Sequence, residues 1–379
     1  MTNTGGQHEK PTYDTHGLLG VLPSVAHSLN VPGFSEWDTD LPQARSAVVV
    51  LVDGLGDELL RRRSGHAPFL RSLLNNGRRL HAGFPSTTAT SLTSLGTGLP
   101  PGAHGMIGYE GHNPANNQRF NALSWENGPD PELWQPFPTV FEKVAPHLEP
   151  FSIGPTHFEG SGLTRASLRG PRYNPADDLE DRIDAAVTIL RTHPRALIYL
   201  YWGEVDKVGH EHGCGSWQWG DELERIDAAL RQLARRVPAG TAIHITADHG
   251  MIDTNDSTRF DIGLRPAMTA NISHVTGDPR APHLHLKPGA SADTAATWSA
   301  ELGHRGTVLT REQAIETGVF GPVRDDVIAR IGDLIVIMND NHVILDSRRD
   351  KPGLLRLVGH HGSTTVDELA VPLLSLPPR

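Results

Sequence analysis

Three continuous apolar runs, rich in β-branched residues and each closing on an acidic residue, constrain this chain more than any other feature. They are Ser46-Ala-Val-Val-Val-Leu-Val52 before Asp53, Ala196-Leu-Ile-Tyr-Leu-Tyr-Trp202 before Glu204 and Asp206, and Thr241-Ala-Ile-His-Ile-Thr-Ala247 before Asp248. None alternates polar with apolar, so each reads as a strand buried on both faces, the mark of a parallel sheet. Between them lie helical spacings: Leu179, Ile183, Ala186, Val187 and Leu190 within 177–192, then Leu223, Ile226, Leu230 and Leu233 after a Ser216 cap. Strand–helix alternation predicts an α/β fold: a largely parallel central sheet with helices on both faces. In such sheets ligands bind at the carboxyl ends of the strands, where these acidic residues sit.

The rest of the chain arranges itself around that core. Residues 1–40, rich in Gly, Pro, Ser and Asp, read as an N-terminal arm with a short helix near 22–29. Residues 41–260 and 353–379 form the α/β core. Between them, 261–352 changes to short strands (281–286, 333–338, 342–345) around helices near 292–302 and 311–317, a smaller α+β insertion. Segments 100–134 and 155–176 lack periodicity and read as loops.

Composition narrows the function. With 37% hydrophobic and 21% charged residues the chain is globular, and a formal net charge of −10 argues against a nucleic-acid polymer as partner. It leaves open a small anionic substrate, since bound cations reverse the local sign. A single cysteine, Cys214, excludes an internal disulfide framework. Residues 1–10 are polar, and no window has the length of a membrane span, so a cytoplasmic protein is expected.

The stretch Phe84-Pro-Ser-Thr-Thr-Ala-Thr-Ser-Leu-Thr-Ser-Leu-Gly-Thr-Gly98 begins as a turn and continues as a small-residue helix that Gly96 and Gly98 can stop. A helix start can receive an anion, and a hydroxyl there either caps the helix or serves as a nucleophile. Three aspartates at strand ends (Asp53, Asp206, Asp248) and three histidines near them or in a Gly-flanked turn (His210, His249, His361) could make two three-ligand sites at one sheet edge. Mixed imidazole and carboxylate ligation suits zinc or manganese better than calcium. Taken singly, an Asp after a strand is a turn residue, and His66, His112, His147 and His193 read as surface histidines.

VVVLVDGLG (48–56), FPSTTAT with GTG (84–98), YWGEVDKVGHEHG (201–213), ITADHGM (245–251) and HHG (360–362) occur in an order that resembles the alkaline phosphatase superfamily. The nucleotide pyrophosphatase/phosphodiesterase branch is the most similar, over roughly residues 46–374. That resemblance implies two divalent ions, zinc or manganese: one held by Asp53, Thr88, Asp248 and His249, the other by Asp206, His210 and His361. It implies Thr88 as the nucleophile, with Thr87 as the rival in register, and His361 rather than His360 as the ligand. A phosphothreonine intermediate and a phosphate-ester substrate, possibly a nucleotide, follow from it. Where the branch has an Asn, this chain reads His104-Gly-Met-Ile-Gly-Tyr109, so Tyr109 is the candidate donor to a phosphate oxygen. Val205 also replaces a frequent proline.

Other candidates stand beside these. Arg165, Arg169 and Arg172 lie in one glycine-bearing segment and could grip the far end of a substrate. Trp202, Trp217 and Trp219 could stack on a base or pack under loops. Cys214 reads as structural. Residues 87–111 contain neither Lys nor Arg, which favours a singly charged diester over a dianionic monoester. The alternatives are a phosphomonoesterase, a carbon–phosphorus hydrolase of the phosphonoacetate type, a dinuclear peptidase and a non-catalytic binding module. The oligomeric state has no signal in the sequence.

Overall fold

The computed structural model describes residues 7–37, 39–290 and 293–379. Its main sheet has seven strands in the order Arg78–His81, Ala370–Leu376, Thr241–Thr246, Ser46–Val52, Ala196–Trp202, Glu149–Gly154 and Arg172–Pro175. The three apolar runs lie side by side at its centre. Val49 of the middle strand pairs with Tyr199 on one side and His244 on the other, both in parallel register. Every residue of Ser46–Val52 is buried, and each fully buried Val or Leu contributes about 1.5–3 kcal/mol. Only Ala370–Leu376 runs against its neighbours, pairing antiparallel with Thr241–Thr246 and Arg78–His81. The helices Leu179–Thr192 and Trp217–Arg236 bury their predicted apolar faces in the same core. Ser216 caps the second, its hydroxyl accepting the Trp219 N–H.

A second, six-stranded antiparallel sheet carries most of the segment after residue 261. Its order is Gly306–Thr310, Leu334–Met338, Ala281–Leu286, Ile272–Asp278, Glu110–Asn113 and Gln118–Asn121. The last two strands correct the reading of 100–134 as loop. They form a hairpin that leaves the core sequence to complete this sheet, Glu110 pairing with Gly277. Four-residue strands of polar residues give little periodicity, which is why the pattern was silent. Two apolar clusters hold this part together, one around Trp298 and Leu334, the other around Phe320 and Ile335.

Three further differences have plain causes. The helix Val21–Ser28 is embedded in the main core, with Leu22, Val25 and Ala26 fully buried, so this part of the arm is core structure. Segment 155–176 holds a short helix, Gly162–Ser167, and the edge strand Arg172–Pro175. Gly96 does not stop its helix. It lies inside Thr88–Thr97, where a Cβ would stand 1.9 Å from the Ser167 carbonyl oxygen, and Gly98 ends the helix at φ 71°. Gly96 is there for close approach, Gly98 for the left-handed turn.

Candidate active site

The turn Phe84-Pro85-Ser86 delivers the chain to the helix Thr88–Thr97. Phe84 is buried against Phe320 of the second sheet's apolar cluster, ring centroids 5.4 Å apart, and the Ser86 hydroxyl donates to the Ser363 carbonyl at 2.6 Å. Both halves of the molecule therefore fix this turn. Thr88 Oγ1 lies 3.2 Å from His249 Nε2, while Thr87 lies beside Asp278. Of the two rivals in register, only Thr88 faces the imidazole and carboxylate cluster.

That cluster gathers the six expected residues at one edge of the main sheet. Asp53 directly follows its strand, its N–H continuing the ladder to the Trp202 carbonyl at 2.9 Å. The turn beyond needs Gly54, at φ 72°, because a Cβ there would sit 2.9 Å from Asp206. Asp248 turns back on its own strand end, one oxygen accepting the N–H groups of Gly54 and His249, each at 3.1 Å. Asp206 and His210 share a face of the helix Glu204–His212, with Asp206 Oδ2 3.4 Å from His210 Nε2. Asp206 Oδ1 is 3.9 Å from His361 Nε2, and His249 Nε2 is 3.4 Å from Asp53 Oδ1 and 3.6 Å from Asp248 Oδ2.

The histidines are oriented alike. Nδ1 of His210 meets the Gly359 carbonyl at 2.7 Å, that of His249 the Gly250 carbonyl at 2.9 Å, and that of His361 the Ser86 carbonyl at 2.9 Å. A main-chain acceptor at Nδ1 places the proton there and leaves the Nε2 lone pair facing the carboxylates, as metal-ligating histidines require. Burial, followed by the neighbouring His249 and His210 rings, holds His361 well below the usual imidazole range.

The donor set fits divalent cations. Asp53 Oδ1, Asp206 Oδ1 and Asp248 Oδ2 are buried without a hydrogen-bond partner. Burial and then its two aspartate neighbours push the Asp53 carboxyl up, and burial does the same to Asp248. Three clustered anionic oxygens with open lone pairs are costly unless a cation joins them. Two groups have ligand atoms within 4.8 Å of one another: Asp53, Asp248 and His249, and Asp206, His249 and His361. His249 stands between them. His210 lies outside the tighter second group, although the resemblance places it there, and reaches the cluster through Asp206.

Beside Thr88 opens a cavity of about 180 Å³. Asp53, Asp206 and Thr88 lie at its polar side, and Leu92, Ile153, Phe158, Leu163, Leu168, Tyr173, Tyr199 and Tyr201 give it an apolar and aromatic wall. No Lys or Arg is among its described lining residues. The Tyr201 hydroxyl donates to Asp53 Oδ2 at 2.6 Å, orienting that carboxylate. Tyr199 and Tyr201 share one face of their strand by alternation, a signal present in the sequence and missed. Phe158 and Tyr173 come from the aperiodic segment and gave no signal.

The proposed substrate contacts fare differently. Tyr109 does not line this cavity. It borders a separate cleft of about 580 Å³ lined by the hairpin, by Val275–Asp278 of the neighbouring strand and by residues 344–351. Arg165 pairs with Glu132 at 3.0 Å, and Arg169 with Glu142 at 3.1 Å as well as with the Gln135 and Phe137 carbonyls. Tyr109, Arg165 and Arg169, expected as substrate contacts, are thus not among the described lining residues of the cavity beside Thr88. Trp202 and Trp219 are buried and Trp217 is exposed, and none lines the cavity. Cys214 is buried near the site, its thiol pushed up by burial.

The sheet, the helix start and the place of this cluster define an alkaline-phosphatase-like α/β fold. More narrowly, the chain belongs to the type I phosphodiesterase / nucleotide pyrophosphatase family, which it matches over residues 47–364. It is 25% identical over 235 residues to an uncharacterized pyrophosphatase/phosphodiesterase of Schizosaccharomyces pombe, covering 56% of this chain and 46% of that protein. It is 26% identical over 205 residues to ectonucleotide pyrophosphatase/phosphodiesterase family member 7 of Rattus norvegicus, covering 50% and 46%. The chain thus spans about half the length of the curated relatives it matches. Among solved structures, the inactive form of murine ectonucleotide pyrophosphatase/phosphodiesterase 5 in complex with AMP superimposes with a TM-score of 0.71 at 18% identity, covering 88% of each chain. Phosphonoacetate hydrolase from Sinorhizobium meliloti with phosphonoacetate gives 0.68 at 21%, covering 88% of this chain and 90% of that one. No helix among the described residues is long and apolar enough to cross a membrane.

Proposed function

We propose that this protein hydrolyses phosphodiesters or phosphoanhydrides through a phosphothreonine intermediate at Thr88. The observation that carries the reading is the Thr88 hydroxyl at a helix start, 3.2 Å from His249 Nε2 and within the cluster of unpartnered carboxylate oxygens. Two divalent ions, zinc or manganese by the donor set, would be held by Asp53, Thr88, Asp248 and His249 and by Asp206, His210 and His361. They would supply Lewis acidity that lowers the pKa of the hydroxyl and offsets charge on the phosphoryl group. Thr88 Oγ1 bonds to phosphorus as the bond to the leaving oxygen breaks; the hydroxyl proton passes to solvent, and the leaving alkoxide takes one up from solvent as it departs as an alcohol. Water then cleaves the phosphothreonine ester, restoring Thr88. The first-turn N–H groups that a helix start leaves unpaired would be available at Thr88 to donate to the transferring oxygens.

The apolar cavity beside Thr88 supports a diester. A substituent retained on phosphorus needs a place to sit, and rings at Phe158 and Tyr173 suit an aryl group or a base. A nucleotide is one candidate, consistent with the AMP complex of the murine protein. Phosphonoacetate would need a cation for its carboxylate, and none is among the cavity's described lining residues. The test is kcat/KM for bis-(p-nitrophenyl) phosphate against p-nitrophenyl phosphate, with zinc or manganese present. A preference for the diester of tenfold or more is expected, about 1.4 kcal/mol in transition-state discrimination. A tenfold preference for the monoester refutes the diester reading.

A further inference from the structure

We propose that Tyr199 is a specificity-determining residue: with Ser152 it forms a hydrogen-bonding patch in the wall of the cavity beside Thr88, which selects phosphate esters whose retained group is an aromatic ring bearing a hydrogen-bond acceptor. The inference rests on the phosphoesterase reading above.

Tyr199 and Tyr201 leave the strand Ala196–Trp202 on one face by alternation, and both line the cavity. Their hydroxyls differ. That of Tyr201 is spent on Asp53 Oδ2, whereas that of Tyr199 is buried without a hydrogen-bond partner. Ser152, on the neighbouring strand Glu149–Gly154, is the direct parallel partner of Tyr199 and lines the same cavity. It too is buried, and its hydroxyl has no hydrogen bond among the described residues. Other hydroxyls of the wall are taken: that of Tyr173 donates to the Pro155 carbonyl at 2.8 Å and that of Ser161 to Thr164 Oγ1 at 3.0 Å. Burial, followed by Asp248 and Asp53, holds the Tyr199 phenol well above its ordinary range, so it stays a donor.

A buried donor with no acceptor is costly, and a ligand that brings the acceptor relieves that cost. The cavity, about 180 Å³, has room for one aromatic ring with a small substituent, since about 150 Å³ suffices for benzene. Leu92, Ile153 and Leu168 offer such a ring apolar contact, while Tyr199 and Ser152 offer two unspent hydroxyls. A hydrocarbon group of equal size fills the space and leaves both unpaired. Sites built to hydrogen-bond their substrate reject the analogue that lacks the matching atom. A tyrosine that only packed against the ring would treat the two alike.

Two esters with a common leaving group test this: 4-acetylphenyl and 4-isopropylphenyl p-nitrophenyl phosphate. Their retained rings match in shape and differ in one carbonyl oxygen. The acetyl-to-isopropyl ratio of kcat/KM, followed by p-nitrophenol release from the metal-loaded protein, should fall at least fivefold in Tyr199→Phe and at least twofold in Ser152→Ala. Intrinsic reactivity is common to wild type and variants, so it drops out of that comparison. Tyr201→Phe removes the hydroxyl spent on Asp53; it should slow both esters and leave the ratio within twofold. By calorimetry, 4-acetylphenylphosphonate should bind the wild type at least fivefold tighter than 4-isopropylphenylphosphonate, and Tyr199→Phe should erase the margin. A ratio unchanged in both Tyr199→Phe and Ser152→Ala overturns the proposal, as do phosphonates that bind the wild type alike. Wild-type protein inactive on both esters, yet still preferring the acetyl phosphonate, overturns the phosphoesterase reading instead, so the two failures are distinct.

Discussion

His249 and His361 stack face to face, their ring centroids 3.7 Å apart and their planes 17° from parallel. One follows a core strand and the other sits in the C-terminal turn, and each turns Nε2 toward a carboxylate. Burial, and then the neighbouring imidazole rings, hold His361 well below the usual range.

Metal content should follow from that pairing. Protein purified without chelator is expected to carry close to two transition ions per chain by elemental analysis. His361→Ala should lose one of them. His360→Ala should not, because its Nε2 points to the Leu357 carbonyl at 3.3 Å while its backbone pairs with Ile252. If the two variants exchange these outcomes, the ligand assignment at the turn is wrong.

Removing the nucleophile should abolish turnover without unfolding the protein. Thr88→Ala is expected to lower kcat by about 10³-fold or more, with metal content and melting temperature nearly unchanged. Thr88→Ser, which restores a hydroxyl, should recover part of the rate. A larger loss in Thr87→Ala than in Thr88→Ala would shift the assignment by one residue.

The two sheets are joined by a buried ion pair whose loss should be costly. Arg280 beside the second sheet and Glu368 before the last core strand are both fully buried, 2.7 Å apart and bidentate. Glu368 also accepts the Ser363 N–H and the Thr365 hydroxyl. Glu368→Ala strands a buried guanidinium and should destabilise by about 3–5 kcal/mol in urea unfolding. A loss under about 1 kcal/mol would show that water reaches Arg280.

Acid should destabilise the fold before carboxylate titration alone would. Burial holds His104 and His283 down to about 3, His285 to about 2 and His244 to about 4. Unfolded, they titrate near 6.5. The unfolded chain therefore binds more protons below that pH, and stability falls as pH drops from about 6.5 toward 4, each residue contributing up to about 1.4 kcal/mol per unit. Asp278, pushed up to about 7 by burial, acts in the opposite sense and offsets part of this. Urea midpoints at pH 7.5, 6 and 5 should fall in that order, and the slope should flatten in His283→Gln. A flat profile would mean that these histidines are protonated in the native state.

The sequence by itself determined the main sheet and the cluster of six. Uninterrupted apolar runs leave a strand no solvent face, and a parallel sheet then brings Asp53 and Asp248 to one edge, with the Asp206–His210 pair one helical turn beyond its own strand. Spacing within Glu204–His212 put Asp206 and His210 on one face, because that is local geometry. Tertiary structure alone decided the rest. The hairpin at 110–121 joins a sheet whose other strands all lie at residue 272 or beyond, a pairing that short polar strands do not announce. Sequence does not show which partners a side chain meets, and the structure pairs Arg165 with Glu132 and Arg169 with Glu142 and sets Tyr109 outside the cavity beside Thr88. Thr88 was separated from Thr87 because its hydroxyl lies at His249 while Thr87 lies beside Asp278. The buried His112, read as a surface residue, and Asp278, not singled out at all, owe their places to strands that meet only after the chain has closed on itself. Local spacing fixes what one element presents, but the partner across an interface is set by long-range contact.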